Sequence, residues 1–195
     1  MNALMQSQYN EGFYTQEELQ DLGLSSFGNN VLISKLARLY DASNISIGDN
    51  VRIDDYVILS GKIEIGSFVH IGAFSSITGG RVGVRIGDFC GMSSQSKIFA
   101  TSDDFVNGYL VGPCVPMHFR NVIEKPVLLT KHCHIGSHSL VLPGSTFLLG
   151  SCLGPMSLNM GRRLKEWSYY LGNPAKKIYD INQEKIIRYE KEFLC

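Results

Sequence analysis

Three histidines and one pair of carboxylates are the side chains of this sequence best suited to moving a proton near neutral pH: His70, His132 and His134, with Asp103-Asp104. An imidazole held by a carboxylate is the useful arrangement. The carboxylate fixes the ring and stabilises the imidazolium formed when a proton is taken. Asp103 with His70 is the expected pair, and His132 is the second candidate base. A lone histidine has an ordinary surface reading, and Asp103-Asp104 after Ser102 also suits a solvated turn. His118 and His138 are taken as structural. The five cysteines are odd in number and not closely paired, which fits reduced thiols. Cys90 and Cys133 fall at small inward positions and read as packing.

These side chains are spaced by a six-residue rhythm. Between Ile45 and Leu158 an apolar residue recurs every sixth position, with a small or β-branched residue four places later. Ile47-Gly48…Val51, Ile53…Val57, Ile65-Gly66…Val69 and Ile71-Gly72…Ser75 are successive units. After a three-residue slip within Gly79–Arg85 the pattern resumes at Ile86-Gly87…Cys90 and Met92…Ser96. It runs again from Ile123 through Leu129…Cys133, Ile135-Gly136…Ser139, Val141…Ser145 and Leu153-Gly154…Ser157. Neither a helix nor an alternating strand has period six, whereas a parallel β-helix of hexapeptides does. Three hexapeptides close one triangular coil, so equivalent positions stack into ladders, and a single coil cannot bury its apolar edge alone. The predicted fold is all-β, with residues 31–160 as the β-helix. Residues 1–30 form an N-terminal helical cap, and 161–195 a tail and helix.

Thr15-Gln16-Glu17-Glu18 is a capping box opening a short helix that Gly23 stops, and Asn182 is the expected N-cap of a C-terminal helix. Both helices are expected to cover open ends of the coil stack. Residues 99–122 break the rhythm and are expected to form an ordered arm, since loops of this length are usually functional or disordered. The zero formal net charge suggests neither a nucleic-acid nor a membrane-surface partner. No stretch is long enough to span a bilayer, and a cytoplasmic location is expected.

The rhythm, the excursion and the tail together resemble the hexapeptide-repeat acyltransferases of the left-handed β-helix superfamily. The likeness is most specific in Ile135-Gly136-Ser137-His138-Ser139-Leu140-Val141-Leu142-Pro143-Gly144, in Leu153-Gly154-Pro155-Met156-Ser157 and in Gly172-Asn173-Pro174-Ala175-Lys176. It covers about residues 31–178 and is nearest the galactoside, maltose and surface-polysaccharide sugar acetyltransferases. The resemblance implies a homotrimer with clefts between neighbouring β-helices, each holding acetyl-CoA as co-substrate, with no metal. Ser137, Gly154 and Pro155 would lie along the pantetheine arm, with Lys176 near the phosphates and Arg162 supplying a further charge. Gly79, Gly80, Asp104 and His134 would contact the acceptor. The galactoside branch carries a histidine followed by proline early in the loop, where this chain has Asp103-Asp104.

Acetyl transfer to a sugar hydroxyl, in surface-polysaccharide biosynthesis, is the leading functional expectation. N-acetylation of a nucleotide-linked amino sugar is the alternative, because an amine attacks as its free base and needs less help from a base. Two other classes fit the sequence less well. γ-Class carbonic anhydrases share the fold, but Ser137 and Leu142 stand where two of their zinc-binding histidines would be. A non-catalytic trimeric scaffold would require neither the tail motif nor the arm.

Overall fold

The computed structural model describes residues 12–195. Short parallel strands stack on three faces of a triangular prism, wound as a left-handed β-helix. Face 2 carries the site and runs through Leu32–Ile33, Arg52–Ile53, His70–Ile71, Gly91–Met92, His134–Ile135, Cys152–Leu153 and Ser168–Leu171. Faces 1 and 3 share two long strands, Ile58–Ile65 and Ser76–Ile86, which bend around the corner between them. The coils begin at Ser26–Phe27, paired to Ile45–Ile47, and continue to Leu171. The stack is therefore longer at both ends than residues 31–160.

The rhythm becomes three interior ladders. Ile47, Ile65, Ile86, Leu129 and Phe147 form one; Ile53, Ile71, Met92, Ile135 and Leu153 another; Leu59, Ile77, Ile98 and Val141 the third; none is more than 4 % exposed. Each such aliphatic side chain contributes about 1.5–3 kcal/mol by leaving water. The small inward residues near the corners are often serines. Their hydroxyls are satisfied locally, Ser139 donating to the Gly154 carbonyl at 2.7 Å and Ser145 to that of Leu142 at 2.6 Å.

The corner between faces 1 and 2 turns on residues in the left-handed region: Asn50, Phe68, Phe89, His132, Gly150 and Trp167. Such a conformation costs a non-glycine residue about 1–2 kcal/mol. Stacking offsets it here: Phe68 on Phe89 at 4.6 Å, and Phe89 on His132 at 5.3 Å. Gly150 is required at its rung, because a Cβ there would meet the Trp167 ring at 2.1 Å.

The corner between faces 3 and 1 takes both interruptions of the rhythm: the slip at Gly79–Gly80, and the arm. The arm opens as an antiparallel pair, Thr101–Asp103 with Val122–Glu124. Helix α1 (Gln16–Asp21) has the full Thr15–Glu18 capping box and buries Leu19 in the core cluster at the N-terminal end. Helix α2 (Glu184–Leu194) begins at Gln183, while the Asn182 side chain accepts from the Glu184 N–H. It does not cover the far end of the stack. It lies on the flank, where Phe193 meets Phe68 and Phe89 edge-on.

Candidate active site

Outward side chains of face 2 fall in one column, because parallel strands stack in register about 4.8 Å apart. That column reads Arg52, His70, Gly91, His134, Cys152, Tyr169. Its stretch from Arg52 to His134 forms the floor of a groove of about 1310 Å³, whose lining also includes Ser93, Ser94 and Ser137. Phe68, Phe89 and Phe193 of α2 form its wall on the face 1 side.

His70 has the carboxylate partner its chemistry requires, but that partner is Asp54 and not Asp103. His70 Nε2 lies 2.7 Å from Asp54 Oδ2, and Arg52 Nε donates to Asp54 Oδ1 at 2.6 Å. Burial raises the Asp54 pKa, and the hydrogen bonds from His70 and Arg52 more than reverse it, so the net shift is downward. Two rungs away, the His134 ring lies over Gly91; a Cβ at Gly91 would come within 2.7 Å of its Nδ1. Desolvation by the groove walls, then the like charge of His132, lowers the His134 pKa, so its ring is neutral at pH 7.

His132 is occupied elsewhere. It sits at the corner, its Nε2 2.7 Å from Glu190 Oε2 of α2, and Lys131 bonds the same carboxylate. It fastens α2 to the coils.

Asp103 and Asp104 hold the arm together. Asp103 accepts from Arg120 at 2.7 Å and 3.1 Å and from the Gly112 N–H at 2.9 Å. Asp104 accepts from the Val106 and Asn107 N–H groups and from the Asn107 and Asn121 amides. The arm and Gly79–Gly80 leave the corner opposite face 2. Within one chain, therefore, neither Asp103, Asp104 nor the two glycines join His70 in the groove. Gly79 is required by packing, since a Cβ there would strike the Lys62 carbonyl oxygen at 2.0 Å.

Ser137 lines the groove at its C-terminal end, where its carbonyl accepts from the Met156 N–H. The Gly154 carbonyl accepts from Ser139 and that of Pro155 from Ser157. The tail folds beside them, with the Gly172 N–H on Ser157 and the Ala175 N–H on the Leu158 carbonyl, leaving Lys176 exposed. Arg162 follows Gly161 on the corner opposite face 2, so one chain does not gather Arg162 and Lys176 into a single cluster.

Sequence reasoning passed over Asp54, Gly91, Ser93 and Ser94. A usable signal existed: Arg52 and His70 are eighteen residues apart, which is three hexapeptides and hence adjacent rungs.

A left-handed coil stack with an imidazole-floored groove on one face and a tail folded over its upper corner is the architecture of the hexapeptide-repeat transferases. The family model for bacterial transferase hexapeptide (six repeats) matches residues 44–79. The dTDP-4-amino-4,6-dideoxy-D-glucose acyltransferase of Escherichia coli is 35% identical over 179 residues, 90% of this chain and 92% of its own. AntD, an N-acyltransferase from Bacillus cereus, superposes in its complex with dTDP and 3-hydroxybutyryl-CoA with a TM-score of 0.91 at 45% identity, covering 94% of this chain and 96% of AntD. A serine variant of AntD holding dTDP-4-amino-4,6-dideoxyglucose and coenzyme A gives 0.91 at 44% identity, over 94% and 97% of the two chains. The chain belongs to the hexapeptide-repeat, left-handed β-helix acyltransferases and is an acyltransferase.

Proposed function

We propose that this enzyme transfers an acyl group from a coenzyme A thioester to the amino group of a nucleotide-linked amino sugar, dTDP-4-amino-4,6-dideoxyglucose being the leading acceptor. The observation that carries this reading is the end-to-end likeness to the Escherichia coli and Bacillus cereus enzymes, which act on or bind that sugar nucleotide. The order expected from the sequence, hydroxyl before amine, is thereby reversed. A role in surface-polysaccharide biosynthesis is consistent with such a product. Acetyl is the donor group expected from the sequence. The AntD complex with 3-hydroxybutyryl-CoA shows that AntD accommodates a longer chain, so short acyl groups in general are candidates.

The nitrogen lone pair attacks the thioester carbonyl, the carbon–sulfur bond breaks, and coenzyme A leaves as its thiol. The amine proton goes to His70 and on to the departing sulfur. His134, neutral and adjacent, hydrogen-bonds the acceptor. Ser93 and Ser94, which line the groove, would hold the oxyanion. AntD has been solved with one serine or one aspartate replaced. This chain offers Ser93 and Ser94 in the groove, with Asp103 and Asp104 on the arm, as matching chemistry. In this reading the enzyme is a homotrimer, because arm and groove lie on opposite sides of one chain and meet only between protomers. Ser137 and Lys176 would then hold the coenzyme, with Gly154, Pro155 and Arg162 shaping that end of the cleft. The cytoplasmic location expected from the sequence is part of this reading.

The test is incubation with acetyl-CoA and dTDP-4-amino-4,6-dideoxyglucose, with the sugar nucleotide analysed by mass spectrometry. An amide product with stoichiometric thiol release is expected; no acylated sugar with any short-chain donor would refute the reading.

A further inference from the structure

We propose that Asp54 is a positioning residue, holding the His70 ring so that its Nδ1 faces the acceptor amine; this deepens the reading above and rests on it. Asp54 follows the inward Ile53 at the end of a face 2 strand. The same place on other coils holds Ser34, Gly72, Ser93, Gly136 and Gly154, so this coil alone carries a carboxylate there. Its two oxygens are divided between two neighbours, Oδ2 at 2.7 Å from His70 Nε2 and Oδ1 at 2.6 Å from Arg52 Nε. Arg52 is itself braced over the Phe13 ring at 5.5 Å.

A carboxylate only accepts, so the hydrogen between Asp54 and His70 belongs to Nε2. The ring's lone pair is then on Nδ1. Exposure grades along the chain of contacts: the Asp54 side chain is 17 % exposed, Arg52 35 % and His70 56 %. A solvated surface pair would be open at both partners. Here the anchor is sheltered and the ring faces the groove, an arrangement that fixes orientation while leaving the working nitrogen accessible. When Nδ1 takes the amine proton, Asp54 balances the imidazolium until the proton passes to the leaving sulfur.

The groups that face His70 are few. Arg52 and Asp54 lie on the rung below and His134 two rungs above, while the Cys90 thiol points inward to the Thr130 carbonyl. Lys131, His132 and Glu190 stand at the corner, α1 presents uncharged Gln16, and α2 presents Phe193. Asp54 is thus the only carboxylate bonded to this ring among the described residues.

Asp54→Asn and Asp54→Glu test the assignment through steady-state kinetics with the amino-sugar acceptor. Asp54→Asn is expected to lower kcat by about 10–100-fold with the KM for the thioester within about twofold. Asp54→Glu should restore part of the rate. An unchanged kcat in Asp54→Asn, in an enzyme that His70→Ala impairs, overturns the positioning role. If His70→Ala is also without effect, the proposal falls with its base, although amide formation by the wild type would keep the N-acyltransferase reading intact. Nitrogen NMR of the wild type needs no variant to fold: hydrogen on Nε2 of neutral His70 is expected, and hydrogen on Nδ1 would contradict the proposal.

Discussion

Gly91 decides where the His134 imidazole lies. Any side chain at that rung would displace the ring from the groove floor, since a Cβ comes within 2.7 Å of Nδ1. Gly91→Ala should therefore lower kcat about tenfold or more, by misplacing the group proposed to hydrogen-bond the acceptor. The melting temperature should shift by only a few degrees, because the outward column is not part of the core. Unchanged kinetics would remove His134 from the site. The outward direction of His70 and His134 was legible, since each follows an inward residue, Val69 or Cys133, of the rhythm. Their partners were not. Arg52-x-Asp54 reads locally as a solvated ion pair, and only coil counting places His70 beside it. The bond from His132 to Glu190 spans 58 residues and depends on how α2 docks, which no local pattern encodes.

At the scale of elements, the arm is the part the rhythm leaves unspecified, and its two aspartates build it. Asp104 uses its oxygens on the Asn107 amide, the Val106 N–H and the Asn121 amide, and these bonds lower its pKa to about 2. A depressed carboxylate stabilises the fold above its ordinary range near pH 4, and that contribution is lost as pH falls toward 2. The amide signals of Val106 and Asn107 should thus titrate together with a midpoint near pH 2. A midpoint near pH 4 would mean that the carboxylate does not hold the turn. Held this way, the arm presents Phe105 and Val106 at 74 % and 87 % exposure, apolar surface that a single chain leaves in water. An ordered arm was foreseeable from its length and turn residues. That Asp103 would pair with Arg120 instead of a histidine was not, because the hairpin register that joins them follows from the antiparallel strands at its base.

For the whole molecule, the β-helix explains both what the sequence revealed and what it concealed. Every coil repeats the same local rule, so the ladders of Ile, Leu and Val were visible from spacing alone. The ends of the stack obey it poorly: Ser26–Phe27 and Ser168–Leu171 join the sheets without a full hexapeptide, which is why they were assigned to cap and tail. The opposition of arm and groove predicts an assembly. Light scattering should give three times the 21.7 kDa chain mass, and a monomer with full activity would exclude a shared site. The account's central claim is that this enzyme acylates an amine. Its most direct test compares kcat/KM for dTDP-4-amino-4,6-dideoxyglucose with that for the sugar nucleotide bearing a hydroxyl at the same carbon, using one thioester donor. We predict a preference for the amine of at least about a hundredfold; equal rates, or faster acylation of the hydroxyl, would contradict it.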